Sequence, residues 1–222
     1  MRFTYLTSYI YSYPIHLDSV QFPSNIFETM KKTSRTICVG DLHGNIKETK
    51  ELYHNLRSFL GDKALSEASL IFLGDYVDRG PESKQVLDFL IRLKEKRPKG
   101  KTHFVSGNHD FGMACFVGCT PSDNKDLSAE KLDATRNPKY TSGFYKFDVK
   151  EGMHYQGRRW GGSMTYSANT TFQSYGVDFE VSEKAREKFI DAVPKSHKTF
   201  LKELKWVHEE DTSFPPGKII CT

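Results

Sequence analysis

Gly40-Asp41-Leu42-His43-Gly44-Asn45 opens a pattern that returns as Gly74-Asp75-Tyr76-Val77-Asp78-Arg79-Gly80 and again as Gly107-Asn108-His109-Asp110. Each stretch follows a short apolar run: Thr36-Ile37-Cys38-Val39, Ser69-Leu70-Ile71-Phe72-Leu73 and His103-Phe104-Val105-Ser106. Each run reads as a strand that ends at a glycine and passes into carboxylates, amides and imidazoles. Between the strands lie helical patterns. Asn45 to Leu60 carries Ile46, Leu52, Tyr53, Leu56, Phe59 and Leu60 on one apolar face and is closed by Gly61. Pro81 opens a second helix whose inner stripe is Val86, Leu87, Leu90 and Leu93, ended by Pro98 and Gly100. Strands alternating with helices of this length imply an α/β fold with parallel pairing and right-handed crossovers. All three polar corners then fall on one edge of one sheet, where such folds place their active sites.

The donors gathered at that edge are Asp41, His43, Asp75 and Asn108. Carboxylate, imidazole and amide together suit Mn, Fe or Zn better than calcium, which prefers an all-oxygen shell. Asp75, central in the order, is the candidate bridge between two metals about 3.5–4 Å apart, the usual core of a two-metal hydrolase. Arg79 can clamp a phosphate through its planar fork. His109 is the candidate general acid, with Asp78 fixing its tautomer. Leu42, Tyr76 and Val77 read as loop packing, and Cys38 reads as a core strand residue. No cysteine is followed six positions later by arginine, which excludes a cysteine-thiolate phosphatase mechanism.

Composition narrows the setting. The 222 residues are enough for one large domain or two small ones. A net charge of +4 is too mild to argue for nucleic acid, although it suits a phosphorylated substrate. The four cysteines are irregularly placed, which fits a reducing compartment, the cytoplasm or nucleus, rather than a disulfide framework. Cys115 and Cys119 lack zinc-site spacing. Nothing approaches the ~18 apolar residues of a membrane span. Residues 1–29, rich in tyrosine and phenylalanine without sustained period, read as a poorly ordered extension, with Met30 the expected natural start.

The three corners resemble the signature of the calcineurin-like metallophosphoesterases, and specifically of the phosphoprotein phosphatase family: GDxHG, GDxxDRG and GNH followed by an acid. The resemblance implies a β-sandwich flanked by helices with two metals at the strand ends. It makes Asp41 and His43 first-metal ligands, Asp75 the bridge, Asn108 a second-metal ligand, His109 with Asp78 the acid dyad, and Arg79 a phosphate-binding arginine. Asp110 stands where the eukaryotic Ser/Thr branches carry Glu, as in the bacterial-type branches.

Four later stretches, Gln156–Gly162, Thr171–Val177, Ala192–Lys198 and Trp206–Asp211, resemble the plant Rhizobiales-like phosphatases, so the similarity runs over roughly residues 33–222. That branch implies a phosphotyrosine substrate on a protein or peptide. The expected partner is therefore a phosphoprotein, with no nucleic acid, no membrane and a monomeric chain.

Residues 120–143 are polar and read as a long loop. Glu183 to Ala192 and Ser196 to Val207 carry helical periodicity, with Phe200, Leu201, Leu204 and Val207 as the inner face of the second. Arg158 and Arg159 are candidates for a second phosphate or an acidic peptide, against the plainer reading of a surface pair beside a packed Trp160. His154, His197 and His208 lie away from glycine corners and read as structural or surface residues. The resembled family adds two further histidines on later strands. Lys218-Ile219-Ile220-Cys221-Thr222 reads as the start of a strand where that branch runs on into a His-Ala-Gly corner. The expectation is a truncated form, with an incomplete second metal position, a half-built sandwich and weak or absent turnover. Two further readings stay open: a small-molecule phosphoesterase acting on a dinucleotide polyphosphate, and a non-catalytic phosphopeptide binder.

Overall fold

The computed structural model describes residues 35–120, 143–147, 152–162, 165–212 and 217–222. The N-terminal extension, the Met30 start and all but the ends of the polar 120–143 stretch lie outside the described residues.

Strands β1 (Thr36–Val39), β2 (Ser69–Phe72) and β3 (Thr102–Phe104) form a parallel sheet in the order β1-β2-β3. The α/β reading and the common edge for the three corners both hold. Helix α1 (Ile46–Leu60) and the short α2 (Asp62–Glu67) join β1 to β2, and α3 (Ser83–Lys96) joins β2 to β3. The expected stripe Val86, Leu87, Leu90 and Leu93 is buried as drawn. In α1 only Ile46 and Thr49 are fully buried, and Phe59 is 73% exposed, so the far end of that face is open to solvent. Alternation along the strands divides the core. Val39, Leu70, Phe72 and Phe104 join the large helix-side cluster, while Ile71 and Val105 join a small cluster with Cys221 on the opposite face. Cys38 is exposed rather than a core residue; it lies on β1, an edge strand of the sheet.

Helix α4 (Asn108–Val117) begins at the third corner and is buried from His109 to Val117. A helix apolar all round shows no stripe, which is why periodicity does not reveal it. Helices α5 (Tyr155–Trp160) and α6 (Asn169–Ser174) follow. The backbones of α4 and α5 approach closely because Gly112 lies against Trp160 while Gly157 lies against Cys115 and Phe116.

Helix α7 (Glu183–Ala192), N-capped by Ser182 Oγ, is as expected. Helix α8 (Lys195–Lys202) is shorter than its periodicity suggested. The chain leaves it to bond alongside β3, with Lys205 N donating to Phe104 O (3.2 Å) and Ser106 N to Lys205 O (2.8 Å). That pull into the sheet turns Val207 outward to 48% exposure. Strands β4 (His208–Asp211) and β5 (Lys218–Cys221) form an antiparallel hairpin, which brings Cys221 onto Ile71 and Val105. The second layer is this hairpin, one part of the expected sandwich.

Candidate metal centre

The three corners are built against one another. Leu42 N and His43 N both donate to Asp75 O (3.1 and 2.9 Å), Gly44 N to Tyr76 O (2.9 Å) and Gly80 N to His43 O (2.9 Å). A β-carbon on Gly80 would collide with His43 O, and one on Gly74 with the Gly107 backbone, so these glycines are contact surfaces between corners. Gly74 also has φ +103°, open to glycine alone at low cost.

His43, Asp75, Asp78 and Arg79 have φ of 41°, 54°, 71° and 64°. Left-handed backbone costs a non-glycine residue about 1–2 kcal/mol, tolerated best by Asp, Asn and His. Here the strain is held by hydrogen bonds aimed at the strained units. Asp110, fully buried at the start of α4, accepts from Asp75 N (2.7 Å), Tyr76 N (2.9 Å) and Gly107 N (3.0 Å). Burial pushes its carboxyl up to about 8, against the pull of those N–H donors. Asp78 N donates to Ser83 Oγ and Thr171 Oγ1, both at 3.0 Å. Tyr76 is packing as expected, its hydroxyl donating to Val105 O at 2.7 Å.

His43 Nδ1 donates to Val77 O (2.9 Å), which leaves its Nε2 lone pair facing inward. That Nε2 is buried without a hydrogen-bond partner, 3.4 Å from Asp41 Oδ2 and 3.9 Å from Asp75 Oδ2. An orphaned imidazole nitrogen facing two carboxylate oxygens, its other nitrogen anchored on a carbonyl, fits a metal ligand. His43, Asp75 and His109 bring their ligand atoms within 4.8 Å of one another. Asp41 and Asn108 stand exposed at the same edge. The donor set therefore fits a transition-metal site.

His109 crosses His43 edge-on, with ring centroids 4.7 Å apart. His109 Nδ1 donates to Asp78 Oδ2 at 2.7 Å, and Arg79 Nη2 lies 3.4 Å from His109 Nε2. Asp78 is fully buried, and its carboxyl carries two further donors. Trp160 Nε1 donates to Oδ2 (2.7 Å), and Thr171 Oγ1 to Oδ1 (2.6 Å). Burial pushes Asp78 up, and the bonds from His109, Thr171 and Trp160 pull it back. All three motif pairs thus converge, and two residues from the second half complete the setting of the dyad.

Arg158 does not join them. Its Nη1 donates to Tyr145 O and Phe147 O, both at 3.1 Å, so it ties down the segment before α5. Arg159 lies nearer, its guanidinium 5.5 Å from the Tyr166 ring centroid, and Tyr166 meets His109 edge-on at 4.8 Å. The Tyr166 hydroxyl donates to Gln156 Oε1 (2.7 Å) and also interacts with the Asn108 side chain. Trp160, Thr171 and Tyr166 were missed as site residues. Trp160 and Thr171 lie in stretches that drew notice, but no local spacing points either at Asp78; Tyr166 carries no signal of its own. His154 caps α5 through Nδ1, which accepts from Gln156 N (3.1 Å). His197 is buried between Tyr175 and Asp88, a structural histidine as expected.

A parallel sheet that gathers carboxylate, imidazole and amide side chains at one edge fits a metal-dependent hydrolase. Residues 34–215 match the model of the calcineurin-like phosphoesterase family, and the chain belongs to that family. It is 40% identical over 79 residues to serine/threonine-protein phosphatase PP1-1 of Saccharomyces cerevisiae, covering 36% of this chain and 23% of that protein. It is 40% identical over 75 residues to serine/threonine-protein phosphatase SIT4 of Candida albicans, covering 34% of this chain and 23% of that protein. The matched segment spans about a quarter of the length of these curated relatives. Among the described residues no helix is long and apolar enough to cross a membrane.

Proposed function

We propose that this chain is a metal-dependent phosphomonoester hydrolase acting on phosphoproteins, with phosphotyrosine the preferred substrate. The observation that carries the reading is the orphaned His43 Nε2 facing Asp41 and Asp75 beside a buried His109–Asp78 pair. Asp41, His43, Asp75 and Asn108 would hold Mn, Fe or Zn, with Asp75 between two ions. When bound, such ions activate water for in-line attack and neutralise charge on the phosphoryl oxygens.

The chain's own residues supply the rest. His109, held by Asp78 through Nδ1, presents Nε2 to the edge and would deliver the proton to the departing oxygen. Arg79, exposed beside that nitrogen, would bind the phosphate oxygens. Trp160 and Thr171 keep the Asp78 carboxylate oriented in a dry setting. The protein-phosphatase reading is supported by the two relatives, both named as serine/threonine-protein phosphatases. The tyrosine preference is supported by the resemblance of the second half to the Rhizobiales-like branch.

The deciding experiment is turnover by the full chain of matched phosphotyrosine, phosphoserine and phosphothreonine peptides and a dinucleotide polyphosphate, with Mn, Fe or Zn supplied in turn. Turnover of the phosphotyrosine peptide at least tenfold above the others supports the reading. Preference for the dinucleotide would replace it with small-molecule hydrolysis. Peptide binding without turnover would replace it with a phosphopeptide binder.

A further inference from the structure

On the side of the sheet away from the helices, a second group of donors meets. His103 lies on β3, opposite Ile71 of β2 in register, while His208 and Glu210 alternate on one face of β4. The His103 and His208 rings stack with centroids 3.9 Å apart and planes 21° from parallel. His208 Nε2 and Glu210 Oε2 are 2.9 Å apart, and one ligand atom from each of the three residues lies within 4.8 Å of the others. His208 is buried and the other two are half-buried. The group is at the start of β3, whereas the catalytic corner follows its end, so it is separate from the His43–Asp75–His109 centre.

We infer that His103, His208 and Glu210 form a second, structural divalent-metal site, of the zinc type, that fastens the β4–β5 hairpin to the parallel sheet. Two imidazoles and a carboxylate are a zinc-like donor set, completed by a water. Zinc holds such donors at ~2.0–2.2 Å, which places neighbouring ligand atoms about 3.3–3.6 Å apart in a tetrahedron. The His208 Nε2–Glu210 Oε2 pair, hydrogen-bonded at 2.9 Å, would open by about 0.4–0.7 Å to take the ion, and His103 offers its ligand atom within 4.8 Å of both.

The need for a fastener is also physical. Among the described residues the hairpin otherwise meets the sheet through the small Ile71–Val105–Cys221 cluster, with Leu73 and Ile219 packed on it and Cys38 beside Cys221, and Ile220 on β5 is 62% exposed.

The test uses the full chain carrying Asp41→Asn and Asp75→Asn, so that the catalytic edge contributes little binding, with cobalt(II) alone as probe. Expected are one equivalent of tightly bound cobalt with tetrahedral d–d bands, and competition by zinc. His103→Ala, a half-buried position that a folded chain tolerates, should weaken binding by more than the ~10–100-fold typical of losing an outer-shell partner. In the same background zinc should raise the urea midpoint of the His103-containing chain and not that of His103→Ala. Equal cobalt isotherms with and without His103, or a zinc-induced midpoint shift that survives its removal, would overturn the site and mark the binding as an adventitious ion only.

Discussion

Thr171→Val tests how the second half of the chain sets the proposed acid dyad. The substitution keeps shape and removes one hydroxyl from a site where Thr171, Asp78 and Ser83 are all fully buried. Thr171 Oγ1 donates its proton to Asp78 Oδ1 at 2.6 Å, so the 2.9 Å contact with Ser83 Oγ must be donated by Ser83. Valine therefore strips Oδ1 of that donor and leaves the Ser83 hydroxyl without its acceptor. Asp78 N keeps Ser83 Oγ as partner, and Oδ2 keeps His109 and Trp160.

A hydrogen bond to a charged group contributes about 1.5–3 kcal/mol, and a buried group left unpaired costs about as much. The expected destabilisation of the metal-free chain is therefore about 2–3 kcal/mol. With a urea slope of ~2 kcal/mol per molar this is a midpoint drop of roughly 1–1.5 M. Trp160→Phe removes a donor from the other oxygen of the same carboxylate. The two changes should couple, with an interaction energy of at least about 0.5 kcal/mol in a double-mutant cycle. Phosphopeptide turnover should fall in both single variants. A destabilisation under ~0.5 kcal/mol for Thr171→Val, or strict additivity with Trp160→Phe, would refute the view that these residues hold Asp78.

Gly80→Ala should be far worse than an ordinary surface change, because its methyl group would meet His43 O where Gly80 N now bonds; urea unfolding should show a loss above ~2 kcal/mol or no folded protein. Chelation by EDTA should abolish turnover reversibly. Restored Mn, Fe or Zn at ~100 times its dissociation constant should stabilise the fold by about 2.7 kcal/mol, read as a rise in Tm. His197 is held below its ordinary 6.5 by burial, so the unfolded chain binds a proton there before the folded chain does. Its contribution is constant above about pH 6.5 and is lost as pH falls from 6.5 toward the depressed folded value; the stability–pH slope in that window should shrink in His197→Asn.

The parallel sheet and its edge were legible because each strand lies in a short, apolar-rich run that ends at a glycine, a signal that needs no long-range information. The Gly-Asp and Gly-Asn corners were legible as donors for the same reason. Helix α4 was not, since Phe111, Met113, Ala114, Phe116 and Val117 bury every face and erase the stripe. Phe59 and Val207 were placed inward on spacing alone; one sits at the open end of α1, and the other follows a chain drawn into the sheet at Lys205. Arg158 attracted notice as a charge, while its neighbour Trp160 is what reaches the site. Spacing could not show that contact, because Asp78 and Trp160 come together only through the close approach of α4 and α5 at Gly112 and Gly157.

That approach gives the fold its division of labour. The three corners present candidate donors on strained backbone, and their glycines let the corners pack against one another, with His43 Nε2 3.9 Å from Asp75 Oδ2. Each of the four left-handed residues carries a penalty of about 1–2 kcal/mol, which the backbone bonds between corners offset only in part. The compensation comes from buried side chains outside the donor set. Asp110 accepts from the adjacent Asp75 and Tyr76 amides of the second corner and from Gly107 N, and Ser83 and Thr171 hold the Asp78 amide. A site of this kind can be strained only as far as its supports are dry and fully bonded. The supports lie on α3, α4, α5 and α6, so chain as far along as α6 is required before the Asp78–His109 pair has its geometry. Residues 41–110 hold the candidate donors with Ser83 and Asp110 among their supports; Trp160 and Thr171 complete the setting of the Asp78–His109 pair.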